Sequence, residues 1–585
     1  MRFLSNVLAV IVGLLIFWVI GFFILAGIIA VSSGESKVQT TENSILHLNL
    51  ENVTLVERAV DDEFDVSALG SFANVPTVGL NQLKTAIRAA QKDDNIKGIY
   101  LQAGNVSSGQ SILSEVRAEL KKFQESGKFI VAYSEIFSEM GYYLSSVADE
   151  VYLNPIGGIE FNGLSSEMVF LKGLFEKIEI EPVIFRVGEF KSAVEPFLLD
   201  KMSEESRLQT ESYLNDLNGH VLQGVAEARS ISLDKIKEIN DQMLIRNNQD
   251  ALDYNLVDGL WYDDQVKDLL RDKLGINEDE DIKSINITNI NKSVEAENRL
   301  SKNRIAVIVA DGEIVSGNAD GVISSDKFLQ EIRKARKDKD IKALVLRINS
   351  PGGSVLASEV IWRELSEAQK AKPLIASMSD VAASGGYYIA APADTIVAHP
   401  NTITGSIGIF GIWFNAKGLL NNKLGITTDV AKTGEFSDFM STVRPLSPVE
   451  SSVVQNQVED GYDTFIARVA EGRDMSREAV LEVASGRVWS GLQAKEKGLV
   501  DVLGGLEDAI QIAATAAGVE EDYRVLYYPE QKTMLERFLS ELTRDVQSRY
   551  MRFKLGNAYY IYDQIEKVKD LEGIMVRLPY DLHLQ

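Results

Sequence analysis

The stretch Ile87–Leu101, IRAAQKDDNIKGIYL, returns as Ile332–Leu346, IRKARKDKDIKALVL, at an offset of 245. In each, an amphipathic run ends in a polar turn and gives way to an apolar, β-rich run, the signature of a helix entering a buried strand. The offset persists outward. Ser134-Glu135 faces Ser379-Asp380, and Gly141-Tyr142-Tyr143-Leu144 faces Gly386-Tyr387-Tyr388-Ile389. Ala148-Asp149 faces Ala393-Asp394, and Gly188-Glu189-Phe190 faces Gly434-Glu435-Phe436 at 246. A period this long is not a solenoid repeat. The chain is two tandem copies of one domain.

Within the second copy the pattern predicts strand Ala306–Val309, helix Asp326–Lys337, strand Ala343–Ile348, helix Leu356–Gln369 and strand Leu374–Met378. That alternation is α/β, with βαβ crossovers around a mostly parallel sheet. The expected organisation is a first repeat over 35–285, a linker over 286–303 rich in Glu, Asp, Asn and Lys, a second repeat over 304–530, and a helical tail over 531–585.

Ahead of the repeats, Leu8 to Val31 carries no charge and no proline, long enough to span a bilayer. Residues 1–34 therefore read as an uncleaved membrane anchor, since a cleaved leader has a shorter apolar run. Arg2 before the helix, against Glu35 and Lys37 after it, weakly favours an exported body.

Of 585 residues, 45% are hydrophobic and 25% charged, which is globular usage. The net charge of −25 argues against a nucleic-acid partner, because a phosphate backbone would be repelled over most of the surface. There is no cysteine, so thiolate catalysis and thiolate metal sites are excluded. His47, His220, His399 and His583 lie far apart and make no metal-ligand motif. Neither a metal nor another cofactor is expected.

Two glycine-rich turns carry the chemistry. Asn349-Ser350-Pro351-Gly352-Gly353-Ser354 follows a strand and opens a helix, and so does Val381-Ala382-Ala383-Ser384-Gly385-Gly386-Tyr387-Tyr388. Backbone N–H groups at such turns converge at the positive end of a helix. Together they predict Ser384 as a nucleophile, with an oxyanion hole made by the N–H groups of Gly353 and Gly385. Ser384 needs a base, and the duplication shows where to look. Opposite Ser384 the first copy has Glu139, and opposite the glycine pair it has Asn105-Val106-Ser107-Ser108-Gly109, so it cannot catalyse alone. That copy does hold Lys191, in Gly188-Glu189-Phe190-Lys191-Ser192-Ala193, where the second copy has Ser437. Complementary loss predicts that Lys191 of one half meets Ser384 of the other, its amine kept neutral by Phe190, Ala193, Val194 and Phe197. Ser406 is a candidate for orienting the amine. His399 would serve a Ser-His-Asp triad, but it sits at a strand end and reads as structural. Gly104–Ser111, GNVSSGQS, lacks the lysine of a phosphate loop.

These motifs, with GEFKSAVEPF, NSPGGS, VAASGGYY and TGSIGI in this order, resemble the long, tandem-repeat form of the signal peptide peptidase A (protease IV) family. The resemblance implies Clp/crotonase-like domains, a homotetramer anchored in the bacterial inner membrane with its body in the periplasm, and cleavage of remnant signal peptides. It assigns the nucleophile to Ser384, the general base to Lys191 and the lysine-orienting hydroxyl to Ser406. Two alternatives remain: crotonase-like acyl-CoA chemistry through the same oxyanion hole, and a membrane scaffold without activity.

Overall fold

The computed structural model describes residues 40–59, 76–294, 301–530 and 573–578, together with positions 13, 16, 17 and 20. The predicted anchor over 1–34 lies almost wholly outside these residues. Among the described residues no helix is long and apolar enough to cross a membrane.

The two copies fold alike because the same apolar spacing recurs in each. Helix Leu80–Lys92 of the first copy and helix Ser325–Lys337 of the second occupy equivalent positions, as do Gln110–Gln124 and Val355–Gln369, all at the offset of 245. In Leu80–Lys92 the buried side chains include Leu80, Leu83, Ala86, Ile87 and Ala90, the i, i+3, i+4 stripe of a helix laid on a sheet. Each copy carries a long helix, Glu204–Arg229 or Pro448–Arg473. Ser203 and Ser447 supply the amino-terminal caps, and the exits are the left-handed residues Ser230 and Asp474.

The first copy centres on a six-stranded parallel sheet in the order Gly259–Leu260, Glu150–Ile159, Phe129–Phe137, Ile96–Gln102, Ser44–Asn49, Ser284–Ile285. In the second copy, strands Arg304–Asp311, Ile341–Ser350 and Leu374–Ala383 form the parallel centre of an eight-stranded sheet. Ala343 to Leu346 is wholly buried, as expected of a strand covered on both faces. All five elements predicted for the second copy are present, with ends that coincide or extend by up to five residues.

A third sheet joins the halves. Its order is Ile323–Ser324, Ile314–Val315, Gly352–Ser354, Gly573–Arg577, Ile409–Asn415, Glu181–Val187. Only the last strand belongs to the first copy, and it pairs antiparallel with Ile409–Asn415 along seven residues, from Ile409–Val187 to Asn415–Glu181. Two expectations change here. The tail over 531–585, read as helical, contributes a strand at Gly573–Arg577, which pairs antiparallel with strands on both sides; the remainder of the tail, apart from Leu578, lies outside the described residues. The segment read as linker holds helix Ile287–Val294, docked by buried Ile290 and by Asn291, whose side-chain amide donates to the Gln82 carbonyl. Ile287 and Ile290 lie one helical turn apart, an apolar spacing outweighed in the sequence by polar composition.

The interface between copies also buries charge. Arg347, fully enclosed, sends its guanidinium to Glu57 at 2.8 and 2.9 Å and to Glu115 at 2.7 Å; Glu115 also accepts from Lys84 at 2.8 Å. The two glutamates and Lys84 are first-copy residues. Such a network leaves a charge stranded if one partner is lost, so it ties the halves into one register.

Candidate active site

Ser384 follows strand Leu374–Ala383 and caps helix Gly385–Ala390, and it is fully buried. Its backbone is at φ 55° and ψ −112°, a conformation that costs an ordinary residue about 1–3 kcal/mol. Two hydrogen bonds hold it there: Ser384 N–H donates to the Gly405 carbonyl at 2.8 Å, and its own carbonyl accepts from Tyr388 N–H at 2.8 Å. The sharp turn aims Oγ at the other copy.

Lys191 arrives from that copy on the loop after strand Glu181–Val187. Gly188, at φ 105°, lies against the Ser485 backbone, where a Cβ would come within 2.5 Å of the carbonyl, and Phe190 N–H donates to that carbonyl at 3.0 Å. A Cβ on Gly486 would lie 2.7 Å from Lys191 Cβ, and one on Gly408 would lie 3.3 Å from Lys191 Cδ. The lysine stem therefore rests on two second-copy glycines. Ala193, Val194 and Phe197, read in the sequence as its apolar surroundings, pack in a cluster with Phe175, Phe410, Ile412 and Met575. Phe190 stands under the Arg487 guanidinium.

The result is a fully buried amine with three polar neighbours. Lys191 Nζ lies 2.8 Å from Ser384 Oγ, 3.0 Å from Ser406 Oγ and 3.1 Å from the Ser406 carbonyl. Burial, with no charged neighbour among the described residues to oppose it, holds the lysine well below its usual range. A neutral amine can accept a proton from a hydroxyl at that distance. Ser406 is itself held in a left-handed conformation, at φ 50°, with its N–H on the Arg487 carbonyl.

The glycine turn reaches the same point. Gly352 is at φ 101°, and a Cβ there would lie 2.0 Å from the Val576 carbonyl oxygen and 2.6 Å from Gly385 N. Only glycine fits this approach. Strand Gly573–Arg577 runs along the turn, with Val576 in register with Gly353 and Leu578 N–H donating to the Pro351 carbonyl at 2.7 Å. Met575, Val576 and Leu578 are buried. Leu578 packs with Tyr213, Leu217, Ala383, Ile403 and Val488, so both copies enclose it.

The structure thus brings together Ser384, Lys191 and Ser406, and sets Gly352 against Gly385, which follows the serine; Gly353, the expected donor of the turn, lies against the Ile314 backbone. His399 is left elsewhere: its Nδ1 is 2.8 Å from Asn401 Oδ1, and its ring stands edge-on to His220 at 5.6 Å. Ser437, the counterpart of Lys191, is exposed, whereas Glu139, the counterpart of Ser384, is buried and accepts N–H groups from Asn162, Gly163 and the Asn240 side chain. Among the described residues no group of three or more metal-ligating side chains is assembled.

Comparison with known proteins supplies the family. Peptidase family S49 matches residues 122–277 and 366–520, once in each copy. The chain is 34% identical to Protease 4 of Salmonella typhi over 547 residues, covering 90% of this chain and 87% of that protein. It is 33% identical to Protease 4 of Haemophilus influenzae over 555 residues, covering 91% and 89%. With the chloroplastic serine protease SPPA of Arabidopsis thaliana it shares 33% identity over 456 residues, or 77% of this chain and 67% of that one. A chain that matches the family in both its halves, and such relatives over most of its length, belongs to peptidase family S49 and is a serine protease.

Proposed function

We propose that the chain is a membrane-anchored endopeptidase that degrades released signal peptides with a Ser384–Lys191 dyad. The observation that carries this is the 2.8 Å contact between Ser384 Oγ and a buried lysine amine that has no charged neighbour among the described residues. In the reaction, the neutral Lys191 amine takes the Ser384 proton as Oγ bonds to the scissile carbonyl carbon. The N–H groups of Gly353 and Gly385 stabilise the oxyanion. The Lys191 ammonium then protonates the departing amine, leaving an ester on Ser384. Lys191 deprotonates a water that attacks this ester, and the proton returns to Ser384 as the acid departs. Ser406 keeps the amine aimed at Oγ.

Strand Gly573–Arg577 supports an extended, apolar substrate. It adds to the edge of the glycine turn through backbone pairing, with Met575, Val576 and Leu578 buried on the way. A signal-peptide fragment is apolar and can add to that edge in the same manner. We place the body in the periplasm, tethered to the inner membrane by residues 8–31, with Clp/crotonase-like repeats in a homotetramer. The duplication supports self-association. Strand Glu181–Val187 pairs with Ile409–Asn415 within the chain, yet their counterparts at the offset of 246, residues 427–433 and 163–169, form no strand among the described residues. A head-to-tail neighbour offers them each other, and such contacts form a ring when the rotation between neighbours closes.

The test is hydrolysis of an apolar peptide by Ser384→Ala and Lys191→Ala variants, separately and mixed. Each loses about a thousandfold or more in kcat, and mixing restores nothing, because both groups come from one chain. Full activity in either variant alone refutes the dyad.

A further inference from the structure

The turn that supplies Gly353 in the second copy has a degenerate counterpart at Asn105–Gly109, and the helices that follow, Val355–Gln369 and Gln110–Gln124, are equivalent residue for residue at the offset of 245. The first-copy helix end is occupied. Asp380 Oδ1 accepts the N–H of Ser111 at 2.7 Å and of Ile112 at 3.3 Å. Asp380 belongs to strand Leu374–Ala383, four residues before Ser384. Its carboxylate lies so close to Gly109 that a Cβ there would meet it at 1.9 Å. The preceding residue, Ser379, donates its hydroxyl to Glu57 of the first copy. Consecutive residues of the nucleophile strand are therefore both fastened to the copy that carries Lys191. The opposite arrangement is missing, since Glu135, the counterpart of Asp380, is exposed.

We propose that the Asp380 carboxylate, seated on the amino terminus of helix Gln110–Gln124, is a positioning residue that sets the distance between Ser384 and Lys191. A carboxylate on helix N–H groups is a charge-assisted contact of defined direction. The dyad spans two domains, so a small shift of the strand lengthens the proton transfer directly, and a misplacement near 1 Å costs about a hundredfold in rate.

The inference rests on the dyad reading and is tested on the full chain. Asp380→Asn and Gly109→Ala each lower kcat about tenfold or more and slow the labelling of Ser384 by a serine-directed acylating probe, with KM changed less than about twofold. In a double-mutant cycle, Gly109→Ala adds little once Asp380→Ala has removed the carboxylate it displaces. Additive losses, a change confined to KM, or full kcat in Asp380→Asn would overturn the proposal. Melting curves separate positioning from a role in stability. Burial and the Glu57 carboxylate push Asp380 up to about 7, with Arg347 the opposing charge that faces it. The ionised carboxylate is then a cost to the fold above that pH, so Asp380→Asn should melt no lower than the parent protein at about pH 8. A melting temperature that falls together with kcat assigns Asp380 to stability instead. Unimpaired hydrolysis by Ser384→Ala sinks the dyad reading, whereas fast labelling of Ser384 in Asp380→Asn sinks only this one.

Discussion

The same five-residue turn does opposite work in the two halves of the molecule. In the second copy, Ser350–Ser354 brings Gly352 against Gly385, next to Ser384. In the first, Asn105–Gly109 opens a helix whose donors are filled by the partner domain's Asp380. Glu139 turns inward on Asn162, Gly163 and Asn240 where Ser384 turns outward to Lys191. The copies have thus diverged at equivalent positions, the second keeping the serine and the first the lysine. An anion-binding helix end is useful in either role: it can stabilise a transient oxyanion or hold a permanent carboxylate.

Exchanging Lys191 for a side chain without a proton to move would break the comparison most severely. Lys191→Met should lose about a thousandfold in kcat while raising the melting temperature. In the unfolded chain the amine keeps its ordinary pKa and is protonated at neutral pH, whereas burial lowers it in the fold. The unfolded state therefore binds the extra proton, and stability rises with pH until the ordinary lysine range is reached. The gain from methionine should accordingly be larger at about pH 7 than at about pH 10, as melts at the two values would read.

Removing residues 573–585 probes the edge that only the second copy presents. The strand competes with peptide as an intramolecular ligand of high effective concentration, so kcat/KM for an apolar peptide should rise about tenfold. A fall instead would make Gly573–Arg577 part of the scaffold. The smallest effect is expected in the retired half. Glu139→Ala strands three donors, at a cost of about 1–3 kcal/mol, and should lower the melting temperature by several degrees with kcat within about twofold of the parent. A large loss of kcat would show that the first copy still takes part in the reaction.

Much of this was legible without coordinates. Helix and strand positions in the second copy followed from apolar spacing, and the meeting of Ser384 with Lys191 was expected from a comparison of the copies, because a serine present in one half and a lysine in the other leave a pattern at a constant offset. Three features were not. Strand Gly573–Arg577 takes its form from the edges on either side of it, and a strand's conformation depends on its partners more than on its own residues. Helix Ile287–Val294 was hidden by polar composition around two apolar anchors. Asp380 read as the counterpart of an ordinary glutamate, since nothing local marks a carboxylate whose partners are backbone N–H groups 269 and 268 residues away.

Sequence alone determined that the protein is a doubled α/β chain with a glycine-lined serine in one half and an unmatched lysine in the other. Periodicity and repetition are local properties and survive in one dimension. Tertiary structure decided how near the two groups come, how dry the amine is, and which carboxylates hold the halves in register. Those depend on desolvation and on contacts between residues hundreds of positions apart, and no spacing along the chain encodes a distance across an interface.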